Sequence, residues 1–232
     1  MTNPGGGVAT RGGPAPHRPN VGRSGRRRRA DSAEGGYVVE LLKRLRHVPD
    51  QLLHPSRRRA ALEALAALLA RRPPARVLVM CNGNIFRSPF AAAALQRELR
   101  RRGVETVRVE SAGFTAHGRP SPPHAIAAAA RRGIDLTGHT SQFAIADVVR
   151  TADFVVVMDP VQRRAVCERF ARSPSDVLLL GDFDPAPVPS RAIEDPVEQG
   201  PEACERAYAR IERCVIELGR AWGREGGTRG NA

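Results

Sequence analysis

The sequence lacks the features that mark a membrane-spanning protein or a disulfide-bonded fold. Its 232 residues include only four cysteines, and no two of them form a Cys-x-x-Cys pair. No apolar run approaches the ~20 residues that cross a bilayer. The arginines at 26–29 are not followed by the apolar segment of a secretion signal. We therefore expect one domain of ordinary size with an appendage, in a reducing compartment, the cytoplasm.

Lysine is nearly absent as well, because Lys43 is the only one and arginine supplies the positive charge. The formal net charge of +13 would suggest nucleic-acid binding if it were spread along the chain. Residues 1–75 hold 15 Lys and Arg against 5 Asp and Glu, whereas residues 76–232 hold 22 against 19. Since the excess is concentrated in the N-terminal third, we interpret it as a solvated basic extension and expect no nucleic-acid partner.

Composition divides the chain into four segments. Residues 1–36 are rich in Gly, Pro and Arg and are predicted to be disordered, because they bury too little apolar surface to offset the ordering entropy. Residues 37–74 are predicted to be a basic helical extension. Residues 75–222 are predicted to form the main domain, and residues 223–232 a disordered tail.

The basic extension has apolar residues at helical spacing in two stretches, 37–48 and 57–70. We expect two helices, packed as a hairpin on the main domain. The alternative is a basic amphipathic surface for a partner or an anionic membrane. We favour packing as the simpler interpretation.

From residue 76 onwards, strand-like and helix-like runs alternate. Strands are predicted near 76–81, 106–110, 153–158 and 177–181, and helices near 88–102, 122–132, 160–170 and 201–222. Strongly apolar strands that alternate with helices are typical of a parallel sheet covered on both faces. The sequence therefore predicts an α/β fold, a four-stranded parallel sheet with helices on both faces, whose ligand binds beyond the C-terminal ends of the strands.

The strongest functional signal is the segment CNGNIFRSP at residues 81–89, between a strand-like and a helix-like run. A cysteine that leaves a strand and an arginine that enters a helix can close a loop around a tetrahedral oxyanion. Backbone amides and the helix N-terminus supply positive potential there. The same potential stabilises a thiolate, the nucleophilic form of cysteine. We therefore interpret Cys81 as a nucleophile in a phosphate-binding loop that follows the first strand.

The Cys-x5-Arg spacing by itself carries little information. Cys204 and Cys214 also precede an arginine, Arg210 and Arg220, at this spacing. Both pairs fall in a helical pattern without a preceding strand, so we interpret these cysteines as small core residues. Cys81 differs because Gly83 and Asn84, which tolerate unusual backbone dihedrals, follow it.

Residues 76 to about 222 resemble the low-molecular-weight protein tyrosine phosphatase family. The resemblance rests on four motifs in matching order: CNGNIFRSP, Ser111-Ala112-Gly113, Val157-Met158-Asp159 and Ile193-Glu194-Asp195-Pro196. It implies a phosphatase that hydrolyses phosphotyrosine on proteins through a phosphocysteine, with no cofactor and no metal. It also implies a partner, a phosphotyrosine protein such as a bacterial tyrosine kinase in polysaccharide export.

The resemblance assigns roles to individual residues. Cys81 would attack phosphorus, Arg87 would clamp the phosphoryl oxygens, and Asp195 would be the general acid and base. The residues expected to bind the substrate are Asn82, Gly83, Asn84, Ile85, Phe86 and Ser88. Ser88 would donate its hydroxyl to the Cys81 sulfur and ease its departure. Asn84, Ser111 and His139 match positions that brace the loop.

The sequence offers three Asp-Pro pairs, at Asp159, Asp184 and Asp195. Asp159 is placed to cap a helix N-terminus, and Asp184 is interpreted as part of a turn. Asp195 lies in the late loop where the family carries its acid, so we favour it for that role.

Four positions bear on how closely the chain follows the family pattern and on its substrate. Phe86 stands where many members carry a second cysteine, so a protective disulfide with Cys81 is not expected. Val197 and Glu198 replace aromatic residues that wall the slot for an aryl group. Ile85 stands where relatives acting on phosphoarginine tend to carry threonine, which favours phosphotyrosine. The alternatives are a non-catalytic phosphoprotein-binding module and a phosphoarginine phosphatase.

Overall fold

The computed structural model describes residues 31–115 and 118–227. The chain divides into two compact units, residues 1–43 and residues 44–232. In the first unit, the described residues are helical. The second unit contains a four-stranded sheet and the helices packed on it.

The sheet is parallel throughout, with strand order β2-β1-β3-β4, which confirms the prediction. Its strands are β1 (Arg76–Cys81), β2 (Arg108–Gly113), β3 (Phe154–Val157) and β4 (Val177–Leu179). Strand β2 lies further along the chain than the predicted 106–110. Its register pairs Val79 with Ser111 and Cys81 with Gly113, so the Ser-Ala-Gly motif belongs to the sheet.

Six α-helices are described. They are α1 (Asp31–Arg71), α2 (Arg87–Arg101), α3 (Pro123–Ala130), α4 (Ala146–Thr151), α5 (Pro160–Phe170) and α6 (Pro201–Gly227). Two 3₁₀ turns, Pro174–Asp176 and Leu180–Phe183, flank β4. Helix α4 was not predicted, because six residues are too few to show a helical period. Among the described residues, no helix combines the length and apolar composition that a membrane crossing needs.

The strands separate the core into two layers, because successive side chains point to opposite faces of a sheet. Val77 and Val79 belong to one apolar cluster, with residues of α1, α2, α3 and α6. Leu78 and Met80 belong to a second cluster, with Val149 of α4 and Val166 of α5. Helices therefore cover both faces, as predicted.

The N-terminal extension differs from the expected hairpin. The backbone is helical from Asp31 to Arg71, including residues 49–56, which separate the two predicted stretches and contain Pro49 and Pro55. The φ angle of proline fits a helix, and its cost is a lost hydrogen bond and a steric clash. In the same segment, Ser56 Oγ donates to the Leu53 carbonyl over 2.8 Å.

The packing of the extension on the main domain is confirmed for its second stretch. The buried core residues that α1 contributes are Ala61, Leu65, Leu68 and Leu69. Each of the two segments predicted to be disordered, residues 1–36 and 223–232, contains some helical residues. Helix α1 begins at Asp31, within 1–36, and α6 continues to Gly227, within 223–232. The rest of both segments, 1–30 and 228–232, lies outside the described residues.

Candidate active site

The loop from residue 81 to residue 88, called here the Cys81 loop, lies at the C-terminal edge of the sheet. Cys81 is the last residue of β1 and Arg87 is the first residue of α2, so strand and helix fix the two ends of the loop. Asn84 takes the left-handed conformation that the turn requires, with φ of 51°. Gly83 does not have a positive φ. Asparagine is one of the few non-glycine residues that tolerate this region.

The sulfur of Cys81 lies among hydrogen-bonding groups of its own loop. Ser88 Oγ is 3.0 Å from Cys81 Sγ, and the backbone N–H of Asn84 donates to the sulfur over 3.2 Å. Cys81 is buried, and α2 begins six residues after it. The sulfur of Cys81 therefore lies within hydrogen-bonding distance of two groups and close to a helix N-terminus.

Asn84 connects the Cys81 loop to its surroundings and is fully buried. Its side-chain nitrogen donates to Ser88 Oγ and to Ser111 Oγ, both over 2.9 Å. Its side-chain oxygen accepts from the backbone N–H of Gln142 (2.7 Å), and its backbone carbonyl accepts from His139 Nε2 (2.7 Å). The structure thus brings Ser111 and His139 to the loop, where the resemblance placed them. Gln142 was missed, because a backbone amide leaves no mark in the sequence.

Arg87 carries a guanidinium that is buried beside the loop, with 3% of the side chain exposed. Its Nη1 donates to the Ile193 carbonyl (3.0 Å), and its Nη2 donates to the carboxylate of Asp195. Arg87 Nε is buried and has no hydrogen-bond partner among the described residues. A buried donor of this kind costs free energy unless a ligand satisfies it, so the guanidinium fits an oxyanion bound in the loop.

Asp195 lies in a second loop, residues 184–200, called here the Asp195 loop. Its side chain is 38% exposed, so the carboxyl group reaches both the guanidinium of Arg87 and solvent. The backbone N–H of Val197 donates to Asp195 Oδ1 (3.4 Å), and Gln199 Nε2 donates to the Asp195 carbonyl (2.7 Å). A carboxyl group beside the phosphate position and open to water can exchange protons with a leaving oxygen and with a water molecule.

The other two Asp-Pro pairs have different environments. Asp159 accepts from the Gln162 N–H (2.8 Å), which confirms the predicted cap of α5, and its carboxylate lies 3.9 Å from the Arg87 guanidinium. Asp184 directly follows the second 3₁₀ turn, but it is fully buried. Two arginines of α6, Arg210 and Arg213, bind its carboxylate over 2.9–3.1 Å. That structural role was missed, because the partners lie far away in the sequence.

Two further residues shape the Cys81 loop. A Cβ on Gly113 would lie 2.7 Å from the Asn82 carbonyl oxygen, so β2 approaches the loop too closely for any side chain there. Tyr208 of α6 donates its hydroxyl to the Phe86 carbonyl (3.2 Å), while its ring stacks on Phe90 at 4.0 Å. Burial raises the pKa of Tyr208 well above its ordinary value, so the hydroxyl stays protonated and remains a donor.

The two cysteines that share the Cys-x5-Arg spacing have no such surroundings. Cys204 and Cys214 are both buried in α6. Burial raises the pKa of Cys204 to about 11 and that of Cys214 further. Both remain neutral thiols near pH 7, which agrees with their prediction as core residues.

Comparison with known proteins agrees with this geometry. The family model of the low molecular weight phosphotyrosine protein phosphatases matches residues 76–226. The chain belongs to this family. The matched part of the phosphatase begins at the first residue of β1 and ends within α6, so it includes both loops of the site.

Individual relatives and solved structures are similar to about two thirds of the phosphatase. The probable low molecular weight protein-tyrosine-phosphatase EpsP of Ralstonia solanacearum is 36% identical over 140 residues, 60% of this chain and 90% of the relative. The structure of Vibrio vulnificus Wzb in complex with benzylphosphonate is 28% identical with a TM-score of 0.55, covering 65% of this chain and 98% of that one. The YwlE arginine phosphatase from Geobacillus stearothermophilus is 26% identical with a TM-score of 0.59, covering 68% and 99%.

Proposed function

We propose that this phosphatase hydrolyses phosphotyrosine on proteins in two steps, through a phosphocysteine on Cys81. The observation that carries the proposal is the guanidinium of Arg87, which lies between the Cys81 loop and Asp195 and contacts the acid directly. The loop of the nucleophile and the acid thus lie on either side of the phosphate clamp, Arg87. This arrangement supports turnover over the alternative of a non-catalytic phosphoprotein-binding module.

In the first step, the thiolate of Cys81 attacks phosphorus in line with the ester oxygen. The S–P bond forms as the P–O bond to tyrosine breaks, and Asp195 transfers its proton to the leaving oxygen. Arg87 donates to two phosphoryl oxygens in its planar fork geometry. The incoming phosphoryl group takes over donors that Asp195 and the Ile193 carbonyl hold in the free protein. Substrate binding therefore releases the Asp195 carboxyl group for proton transfer.

In the second step, Asp195 takes a proton from a water molecule that attacks the phosphocysteine. The S–P bond breaks, and the electron pair returns to Cys81. Ser88 Oγ and the Asn84 N–H stand at hydrogen-bonding distance from this sulfur and stabilise the thiolate as it leaves. Inorganic phosphate and the free thiolate complete the cycle.

Phosphotyrosine is the substrate we favour over phosphoarginine. The relatives EpsP and Wzb carry tyrosine-phosphatase names, whereas YwlE is named an arginine phosphatase. Ile85 is a buried apolar residue in the Cys81 loop, where phosphoarginine enzymes tend to have threonine. We infer that the physiological substrate is a cytoplasmic tyrosine kinase, by the resemblance to enzymes of polysaccharide export.

The test compares Cys81→Ser with Cys204→Ser, because both cysteines have Cys-x5-Arg spacing and only one lies in the site. Loss of the nucleophile should lower kcat for an aryl phosphate by at least about 1,000-fold. The Cys204→Ser enzyme should stay within about twofold of wild type, since a buried neutral thiol takes no part. Acid quench during turnover should trap a phosphoryl group on Cys81. Full activity of Cys81→Ser would overturn the mechanism.

The substrate is tested with matched peptides that carry phosphotyrosine, phosphoserine or phosphoarginine. The expected order of kcat/KM puts phosphotyrosine first by at least about tenfold. Faster hydrolysis of phosphoarginine would establish the alternative. Release of phosphate from an autophosphorylated bacterial tyrosine kinase would support the inferred partner, and an inert kinase alongside a reactive peptide would remove it.

A further inference from the structure

Helix α1 contacts the Asp195 loop directly, although α1 lies outside the residues that the family model matches. His54 is buried, and its Nε2 donates to the Ala186 carbonyl over 2.8 Å, joining residues 132 positions apart. A carbonyl oxygen can only accept, so the ring carries its proton on Nε2. This hydrogen bond fixes the position of the loop nine residues before Asp195.

Charged residues surround this contact. Asp50 of α1 forms an ion pair with Arg57, which lies 7 residues further along the same helix. On the other side, Arg191 binds both carboxylate oxygens of Asp182 over 2.8 and 2.6 Å. The hydrogen-bonded carboxylate of Asp182 raises the pKa of Arg191, and the charge of Asp50 adds to that effect. Opposite charges therefore lie close together where α1 meets the Asp195 loop.

Residues of α1 and of the Asp195 loop lie side by side at this contact. Asp50, His54 and Arg57 line one small cavity together with Asp182, Val188 and Arg191. A Cβ on Gly181 would lie 1.9 Å from the Arg191 carbonyl oxygen, so the two backbone segments are in close approach. Displacement of α1 would remove the hydrogen bond at Ala186.

The remainder of the Asp195 loop is held from the matched part of the chain. Arg210 of α6 donates to the Ser190 and Ala192 carbonyls, both over 2.7 Å. The backbone N–H of Ile193 donates to the Met158 carbonyl (2.9 Å). Of these anchors, the one at Ala186 alone comes from α1. We propose that His54 of the N-terminal extension is a positioning residue for the catalytic acid, which rests on the proposed role of Asp195.

The experiment uses the dependence of the rate on the leaving group. Phenyl phosphate leaves as a basic phenolate and needs proton transfer, whereas p-nitrophenyl phosphate leaves as a weak base and needs little. His54→Ala should lower kcat/KM for phenyl phosphate by about fivefold, as expected for one lost hydrogen bond, and for p-nitrophenyl phosphate by less than about twofold. His54→Gln should restore the rate, because its amide can donate to the same carbonyl.

Arg58→Ala is the matched control. Arg58 lies on the same helix and binds Glu217 of α6 over 2.7 Å, away from the Asp195 loop. Arg58→Ala should change kcat/KM for both substrates by the same factor. If His54→Ala is unfolded at the assay temperature, His54→Phe fills the space without a donor and must show the same selective loss.

Asp195→Asn separates failure of this inference from failure of the proposed function. It should give a much larger selective loss with phenyl phosphate. One outcome is that Asp195→Asn loses more activity with phenyl phosphate while His54→Ala lowers kcat/KM for both substrates equally, or for neither. That result would show that His54 does not position the acid. If Asp195→Asn itself shows no selectivity, the proposed role of Asp195 is wrong, and the inference falls with it.

Discussion

The Cys81 loop and the Asp195 loop meet at the guanidinium of Arg87, but the structure holds them in different ways. The Cys81 loop is buried, and hydrogen bonds between neutral side chains connect Asn84 to Ser88 and Ser111. The Asp195 loop is half exposed at its acid, and charged side chains from other elements anchor it. Phosphate recognition and proton transfer therefore depend on separable parts of the fold. A substitution in one loop can weaken its function and leave that of the other loop intact.

The largest effect is expected where the two loops meet. Arg87→Lys keeps the charge but removes the planar fork, so it should lower kcat/KM by about 100- to 1,000-fold. Steady-state kinetics with an aryl phosphate measures this. Arg220→Lys is the control, because Arg220 also ends a Cys-x5-Arg spacing but is exposed on α6. Similar losses in the two variants would remove the special role of Arg87.

The next largest effect is expected for a substitution in the Asp195 loop. Asp184→Asn leaves Arg210 and Arg213 without their carboxylate, which should lower the free energy of unfolding by about 3 kcal/mol. Denaturant unfolding measures the loss. The inhibition constant of inorganic phosphate should change by less than about twofold, because the Cys81 loop keeps its own hydrogen bonds. A large rise in that constant would show that the two loops are not separable.

The converse change is made in the Cys81 loop. Asn84→Gly keeps the left-handed backbone but removes three side-chain hydrogen bonds, and should cost about 2 kcal/mol of stability. Phosphate should bind about tenfold more weakly, since the loop loses its brace. Asn84→Ala should be less stable than Asn84→Gly by about 1 kcal/mol, because φ stays positive. Equal stability of the two variants would contradict the backbone argument.

The smallest effect is expected beneath the Cys81 loop. Tyr208→Phe removes one hydroxyl and keeps the stack on Phe90, so phosphate binding should weaken by about fivefold, the value of one hydrogen bond. Competitive inhibition by phosphate measures it. The ratio of rates for phenyl and p-nitrophenyl phosphate should not change, because the acid is untouched. A changed ratio would connect Tyr208 to the Asp195 loop instead.

The sequence was most informative where function depends on neighbours in the chain. A strand, a cysteine and a helix start lie within a short segment, so the Cys81 loop and the sheet could be predicted from local pattern. Asp195 required the resemblance, because more than a hundred residues separate it from Cys81. The anchors at Asp184 and His54 could not be predicted, since their partners meet only after folding. The extension was expected to form two helices and forms one, because local sequence pattern is only a weak guide to where a helix ends.

Helix α1 completes the hydrophobic core with Leu65 and Leu68, yet family similarity begins at residue 76. A fragment trimmed to the matched boundary would therefore expose the part of the apolar cluster that these leucines cover. Such surfaces favour aggregation during expression. The smallest piece suitable for recombinant study is thus larger than the homologous domain, and it has to include Leu65 and Leu68.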